Sequence, residues 1–269
     1  MDQPQRRPRG RPRSAASEAS SGTVQALDRG LHLLRAVASS GGSTLTEIAH
    51  SAGLPPSSAH RILLTLQKHQ FLDFDETTQE WTVGVEAFRV GSAFAERANL
   101  VDASRDVMRR LADDLGETAN LGIRHGGDVV FIGQAESHHP IRAFFRPGTR
   151  TPLHASGIGK ALMAAAGRDE MAEHLRTAEL LGFTPQTITA PERLAEDIEL
   201  TRKRGWAFDN EERFLGMRCV AAAVFDASAN PVGGISISGP TVRMADERIN
   251  AVGARVNTAA REATRLMGG

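Results

Sequence analysis

Three residues far apart in the chain are of the types that nucleophilic catalysis uses. Cys219 could act as a nucleophile, His154 as its base and Asp209 as the group that orients the base. The sequence does not bring them together, and an isolated cysteine in an apolar strand is more often a small buried hydrophobic residue. We therefore expect no enzyme, and a cysteine-dependent small-molecule enzyme using Cys219 is the alternative.

A second group of residues is suited to holding a small anion. Ser156 can cap a helix that begins at Gly157-Ile158, which leaves backbone amides at the positive end of the helix dipole. The stretch is not a nucleotide phosphate loop, because Lys160 is followed by alanine rather than serine or threonine. Ser236 and Ser238 alternate along a predicted strand, so both hydroxyls lie on one face. That face is either part of a ligand site or the solvent side of an edge strand.

A third group is typical of DNA recognition. Thr44-Leu45-Thr46-Glu47 is a capping box that begins a short helix, Gly53 ends it, and a second helix runs from Pro56 to about His69. Two short helices joined by a glycine turn form a helix-turn-helix, whose second helix enters the major groove with its N-terminal end first. The predicted DNA contacts are therefore the outward residues of its first two turns: Pro56, Ser57, Ser58, His60 and Arg61.

These residues differ in what they could contact. We assign Ser57 and Ser58 to phosphate positioning, and Arg61 either to a guanine or to a phosphate. A solvated helix face is the alternative. Alternating apolar residues in 71–74 and 81–83 predict a two-stranded wing after the second helix, and the competing interpretation is a helical hairpin followed by an unrelated β-hairpin.

The remaining periodicity predicts two domains and a linker. The segments are a disordered basic arm at 1–22, a mostly helical winged helix-turn-helix domain at 23–84, a linker helix at 85–98 and a C-terminal domain at 99–269, with the boundary near Asn99. In the C-terminal domain we predict helices at 101–115, 158–166, 168–178, 192–204 and 245–267, and strands at 118–123, 129–135, 141–145, 220–225 and 232–238. This order indicates an α+β domain with helices packed on an antiparallel sheet.

Composition narrows the class of protein. The 269 residues include 41% hydrophobic and 24% charged residues, which suits two globular cores. One cysteine excludes an intrachain disulfide framework, and the sequence contains no apolar run of about 20 residues, so we expect a cytoplasmic protein and no membrane partner. Because the net charge is zero, DNA attraction requires local clustering. The arm provides it through Arg9 and Arg11, which flank Gly10 as in an AT-hook.

The motifs resemble those of one family. Thr44 to Ala49, Gly53-Leu54-Pro55 and Ser57 to Arg61 are similar to the DNA-binding domain of IclR-type transcriptional regulators, and Leu153 to Ala161, Asp209 to Glu212 and Gly216 to Ala221 are similar to its effector domain. The resemblance runs from about Val24 to the C-terminus. It implies a GAF-like effector domain, dimers or dimers of dimers, and double-stranded operator DNA whose binding is modulated by a small anionic metabolite. It implies control of a catabolic or carbon-assimilation operon; a sensor or interaction module without DNA binding is the alternative.

The resemblance also implies a ligand site. In family members that sense glyoxylate or pyruvate, the ligand contacts fall at positions matched here by Gly157, Ile158, Asp209, Met217, Cys219, Ser236 and Ser238. Helix amides and serine hydroxyls would hold a carboxylate, and Asp209 would face a donor on the ligand. We therefore expect glyoxylate, or a similar short 2-oxo acid, as the effector, with no catalytic cofactor and no metal. The bulk of Ile158 is expected to narrow the pocket.

Overall fold

The computed structural model describes residues 23–98, 100–140, 142–143 and 145–269. The chain divides into two compact units between Phe94 and Ala95. The predicted arm at 1–22 and Asn99, where the sequence placed the boundary, lie outside the described residues. No helix in the described ranges is both long enough and apolar enough to cross a membrane.

The first unit combines four helices with a small sheet. In chain order its elements are α1 (Gln25–Ser40), β1 (Ser43–Thr44), α2 (Leu45–Ser51), α3 (Pro56–Lys68), β2 (Leu72–Asp75), β3 (Glu80–Val83) and α4 (Val85–Ala98). The strands form an antiparallel sheet in the order β1-β3-β2. The predicted wing is β2 and β3. The sequence did not reveal β1, because two residues are too few to show an alternating pattern.

Local interactions determine where α2 begins and where the turn after it lies. The Thr44 amide and hydroxyl both donate to Glu47 Oε2, each over 2.8 Å, so the predicted capping box begins α2. Gly53 has φ +60°, a left-handed conformation that glycine adopts without steric cost. Both helices then pack on a core with the wing, formed by Leu33, Val37, Ile48, Ala49, Ala59, Leu63, Leu72 and Trp81.

The second unit is built on one six-stranded sheet. Its elements are α5 (Leu100–Leu115), β4 (Thr118–His125), β5 (Asp128–Ala135), β6 (Arg150–Pro152), α6 (Gly157–Ala165), α7 (Arg168–Thr177), α8 (Pro191–Arg204), β7 (Ala207–Asn210), β8 (Met217–Phe225), β9 (Pro231–Pro240) and α9 (Asp246–Leu266). The strand order is β6-β5-β4-β9-β8-β7, and every neighbouring pair is antiparallel. This is the α+β fold that the sequence predicted.

Helices cover both faces of this sheet. On one face, Ile235 and Ile237 of β9 pack with α5 and α9 in the larger core. On the other face, Ala221 of β8 packs with α6 and α8. The serines of β9 alternate with its isoleucines and therefore lie on the α6 face. Because β9 lies inside the sheet, Ser236 and Ser238 are buried at 0% and 2% exposure, which contradicts the edge-strand interpretation.

The predicted strand at 141–145 is wrong for the residues that the structure describes. Positions 142, 143 and 145 are not in a strand, and Ile141 and Phe144 lie outside the described residues. Arg142 instead pairs with Glu136 over 2.7 Å, and the Phe145 ring stacks on Phe131 at 4.6 Å. The apolar run therefore supplies a loop that packs on the sheet. The short edge strands β6 and β7 were not predicted from the sequence.

Candidate DNA interface and effector cavity

The N-terminal end of α3 is accessible. Pro56, Ser57, His60 and Arg61 are exposed and Ser58 is half-buried, whereas Ala59 and Leu63 are completely buried. The buried pair fixes the rotation of the helix, so the predicted DNA contacts lie on its outward side. The Arg61 side chain has no hydrogen bond or ion pair with any described residue, which leaves its guanidinium available for a base or a phosphate.

His60 of α3 contacts the wing. Its ring is 6.5 Å from that of Trp81 in an edge-to-face arrangement, and Trp81 in turn contacts Phe74 at 4.8 Å. This contact ties the recognition helix to β2 and β3. Arg9 and Arg11, the two arm residues predicted to contact DNA, lie outside the described residues.

In the second unit, strand register brings three predicted ligand residues into one row. Asp209 of β7 is opposite Cys219 of β8, and Cys219 is opposite Ser238 of β9. Residues directly opposite each other in a sheet present their side chains on the same face. The row therefore faces α6.

The beginning of α6 closes over this row. Ser156 caps the helix, its hydroxyl accepting the Gly159 amide at 3.3 Å, as the sequence predicted. The first amides of a helix have no acceptor within it, so those of Gly157 and Ile158 remain available to an anion. Glycine is required at 157, because a Cβ there would lie 2.8 Å from Cys219 Sγ. The helix end and the sheet thus approach each other closely.

A small cavity lies between the α6 N-terminus and the sheet, and we call it the effector cavity. The centre of a water molecule can occupy about 30 Å³ of it. One water needs about 10–15 Å³ by this measure, so the space suits a ligand of a few heavy atoms. Its lining residues are Phe131, Phe145, Thr151, Ala155, Ser156, Gly157, Asp209, Arg213, Phe214, Met217, Cys219 and Ser238.

Five of the seven predicted ligand residues line the effector cavity, namely Gly157, Asp209, Met217, Cys219 and Ser238. Ile158 and Ser236 do not. The Ile158 side chain packs toward Gly122 and Gly234 of the sheet, so it cannot narrow the cavity as the sequence suggested. Ser236 is fully buried.

The sequence analysis did not predict the cationic residue of the cavity or any of its aromatic lining. Arg213 lines the effector cavity, with its guanidinium 3.9 Å from the centre of the Phe183 ring and 5.2 Å from that of Phe214. Thr151 also lines it, and its buried hydroxyl has no hydrogen-bond partner among the described residues. Arg213 lies between two motifs that were used for prediction, so its position offered a signal. Thr151 offered none, because its short strand was not predicted.

A buried ionic cluster lies next to the effector cavity. Lys160 Nζ lies 2.5 Å from Glu212 Oε1 and 2.8 Å from Asp197 Oδ2, and it also donates to the Phe208 carbonyl. Burial alone would lower the pKa of Lys160, but these carboxylates raise it, so the lysine stays charged. Its side chain is therefore committed to the protein interior. Asp209 accepts the Glu212 amide at 2.8 Å, which joins the cluster to the cavity.

Asp209 is poised to change its charge near neutral pH. Burial, reinforced by the neighbouring Glu212 carboxylate, raises the pKa of Asp209 to about 7. A protonated carboxyl can donate a hydrogen bond to an anion, whereas an ionised one repels it. The cavity therefore accepts an anion more readily when Asp209 carries its proton.

The same buried environment disfavours the thiolate form that a catalytic Cys219 would need. Burial, reinforced by Asp209, raises the pKa of Cys219 to about 11, so the thiol is protonated at neutral pH. His154 is not among the cavity-lining residues, and its Nε2 is 2.9 Å from the Leu181 carbonyl. Within the described part of the chain, no group of three or more His, Cys, Asp or Glu residues could hold a metal ion.

Comparison with known families decides the class of protein. Residues 26–76 match the IclR helix-turn-helix domain, and residues 92–265 match the family described as bacterial transcriptional regulator IclR C-terminal. The chain belongs to the IclR family of bacterial transcriptional regulators. Members of these families are DNA-binding regulators rather than enzymes, so the cysteine-dependent alternative is set aside for this IclR-family chain.

Relatives match this IclR-family chain over nearly its whole length. It is 51% identical over 256 residues to the HTH-type transcriptional regulator BhcR of Paracoccus denitrificans, covering 95% of this chain and 91% of that protein. It is 40% identical over 264 residues to the transcriptional repressor IclR of Escherichia coli, covering 97% and 96%. The crystal structure of IclR from Thermotoga maritima has a TM-score of 0.78 and 29% identity, covering 92% of this chain and 100% of that one.

Proposed function

We propose that this regulator is a repressor whose affinity for operator DNA changes when a short 2-oxo acid occupies the effector cavity, with glyoxylate as the first candidate and pyruvate as the second. The observation that carries the proposal is the effector cavity itself, a small space at a helix N-terminus that is also lined by an arginine and by the unsatisfied hydroxyl of Thr151. Repression agrees with the name of the Escherichia coli relative.

The carboxylate of the ligand has a favourable position at one end of the cavity. Helix amides at Gly157 and Ile158 provide donors with a positive dipole end, and the Arg213 guanidinium provides a full positive charge. The Thr151 hydroxyl gains a partner when a ligand binds. A buried hydroxyl without a partner costs about 1–3 kcal/mol, so its satisfaction favours the bound state.

The other end of the cavity selects for a short ligand with a polar second group. Asp209 and Ser238 can exchange hydrogen bonds with a carbonyl or a hydrated aldehyde, while Met217 and Phe214 supply apolar walls. Glyoxylate has both chemical forms and is the smaller of the two acids. The sequence predicts that Asp209 accepts a hydrogen bond from a donor on the ligand, and its raised pKa adds the opposite arrangement, in which Asp209 donates.

On the DNA side, α3 would bind in the major groove of an operator that controls a catabolic or carbon-assimilation operon. Ser57 and Ser58 would approach the phosphates, Pro56 and His60 would lie beside them, and Arg61 would contact a base or a phosphate. Arg9 and Arg11 would add attraction to the phosphates, or insertion into a minor groove.

A dimer would present two such helices to a palindromic operator. Leu27 and Leu31, which share one face of α1, are 61% and 46% exposed, and Val85 and Phe88 of α4 are 64% and 75% exposed. Exposed apolar patches of this kind mark interaction surfaces. We assign the exposed face of α4 to contact between subunits, in a dimer or a dimer of dimers, with the GAF-like domain as the ligand sensor.

Regulation then requires glyoxylate to bind the DNA-competent and DNA-incompetent arrangements with different free energies.

The ligand half of the proposal is tested by calorimetry on the full chain with glyoxylate and with pyruvate. We expect saturable binding at millimolar concentrations or below, weakened about 10- to 100-fold by Arg213→Gln, because a hydrogen bond to a charged group contributes about 1.5–3 kcal/mol. Arg109→Gln is the matched control, since Arg109 is an exposed α5 residue paired only with Asp106 at 3.8 Å among the described residues. No heat with either acid, or equal loss in both variants, would refute this assignment.

A further inference from the structure

A second and larger cavity lies in the C-terminal unit, between α6, α8, β8 and α9. The centre of a water molecule can occupy about 300 Å³ of it, against about 30 Å³ in the effector cavity. The two cavities have no lining residue in common. This second cavity is lined by Ala161, Ala164, Ala165, Thr201, Arg202, Gly205, Trp206, Ala223, Phe225, Asn257, Arg261 and Thr264.

Small side chains create the space. Ala161, Ala164 and Ala165 share one face of α6 and are opposed by Ala223 of β8. A close-packed interior would normally fill such a position with leucine or isoleucine. Trp206 and Phe225 border the space with aromatic surface instead. The cavity can therefore accept an apolar ring or chain.

Polar groups without partners also line this cavity. Thr201 is 2% exposed, and its hydroxyl makes no hydrogen bond with any described residue. Arg202 donates from Nε to the Ala164 carbonyl at 3.0 Å, but its buried Nη2 has no partner in the described ranges. Buried polar groups are nearly always satisfied in proteins, so two such groups at one cavity indicate a missing acceptor.

The charge of the lining indicates the sign of the ligand. Arg202 and Arg261 both line the cavity, and its lining residues include no acidic side chain. Glu199, which is not among the lining residues, pairs with Arg202 Nη1 and lies 3.2 Å from Arg168, whereas Arg261 has no ion pair with any described residue. Arg265 adds a further positive charge in an adjoining depression that Arg261 also lines. The field at the cavity thus favours an anion.

We propose that this second cavity binds a carboxylate with an apolar ring or chain, a ligand larger than the 2-oxo acid and bound independently of it. The ligand carboxylate accepts from Arg261, Arg202 and the Thr201 hydroxyl, and its apolar part lies between the alanines and the rings of Trp206 and Phe225. The regulator then responds to two metabolites of different size. This inference concerns a different site from the proposed effector function and does not depend on it.

Tryptophan fluorescence tests the proposal with benzoate as the probe. The chain has two tryptophans, Trp81 and Trp206, so a Trp81→Phe background leaves Trp206 as the reporter at the cavity wall. We expect a saturable change in Trp206 emission at millimolar benzoate, with the same midpoint in the presence and absence of saturating glyoxylate. In this background, Thr201→Val and Arg261→Gln raise the midpoint at least about tenfold, whereas Ser238→Ala and Arg109→Gln leave it unchanged.

Three outcomes would overturn the proposal. The first is no saturable change in a background whose thermal unfolding matches the unmodified chain. The second is competition between benzoate and glyoxylate, which would place benzoate in the effector cavity. The third is a change of oligomer mass in Arg261→Gln without benzoate binding, which would make the cavity an interface between copies of the chain. Because the emission is measured with and without glyoxylate, a failure of glyoxylate binding is distinguishable from each of these.

Discussion

At the scale of single residues, we expect Asp209 to connect the pH of the solution to ligand affinity. Burial and the Glu212 carboxylate raise the pKa of Asp209 to about 7 in the free protein, and a bound anion favours its protonated form further. We therefore expect affinity for glyoxylate to be greatest below pH 7 and to be lost as the pH rises through 7, because the ligand stays ionised while Asp209 becomes a repelling carboxylate. Above the pKa we expect up to a tenfold loss for each pH unit.

Calorimetric titrations between pH 6 and pH 9 check this dependence, with Asp209→Asn as the informative variant. An amide at 209 keeps the hydrogen-bonding shape without the charge, so the variant should bind with little dependence on pH. If the unmodified chain instead binds more tightly as the pH rises, Asp209 acts as an ionised acceptor for a hydrated aldehyde. An equal pH slope in both proteins would remove Asp209 from the titration.

The cavity residues also show which site residues could be predicted from the sequence. Gly157, Asp209, Met217, Cys219 and Ser238 were located through motif resemblance, and all five line the effector cavity. Arg213 and Thr151 were not, because their relevance depends on packing between segments that are distant in sequence. Ile158 was predicted to contact the ligand because it belongs to the motif. Its side chain instead packs toward the glycines of the sheet.

At the scale of elements, the start of α2 depends on its capping box. Thr44 contributes both its amide and its hydroxyl to Glu47, so Thr44→Ala removes the hydroxyl contact and should cost about 1 kcal/mol of local stability. That corresponds to about fivefold faster amide exchange in a peptide covering residues 45–51. Hydrogen exchange with mass detection provides the measurement.

Thr46→Ala is the matched control for this variant. Thr46 is an exposed residue in the first turn of the same helix, and its side chain has no hydrogen bond to a described residue. Its replacement should leave the exchange rate nearly unchanged. Equal acceleration in both variants would show that threonine content, rather than the cap, sets the stability of α2.

The elements differ in how well the sequence predicted them. The helices α2, α3 and α5 to α9 were predicted within about two residues at each end, because their apolar periodicity was long or their caps were explicit. β1, β6 and β7 were missed since they have only two to four residues and pair at sheet edges. Their positions follow from pairing with strands far away in the chain, which a local pattern does not contain.

At the scale of the whole molecule, the exposed face of α4 is proposed to hold two copies together. Phe88 is 75% exposed, and a charge there would be desolvated on association. We expect Phe88→Asp to shift the molecular mass in sedimentation or light scattering toward the monomer and to weaken operator binding. Val242→Asp, at an 85% exposed site in the second unit, is the control that should leave the mass unchanged. An unaltered mass in Phe88→Asp would assign the subunit contact to another surface.

We propose above all that a short 2-oxo acid in the C-terminal unit controls how α3 binds DNA. Mapping of bound sites on genomic DNA, followed by binding titrations on the recovered fragments with and without glyoxylate, measures it most directly. We expect discrete palindromic sites, affinity that changes with glyoxylate, and loss of sequence preference in Arg61→Gln. Site-specific binding that neither glyoxylate nor pyruvate alters at millimolar concentration would contradict it.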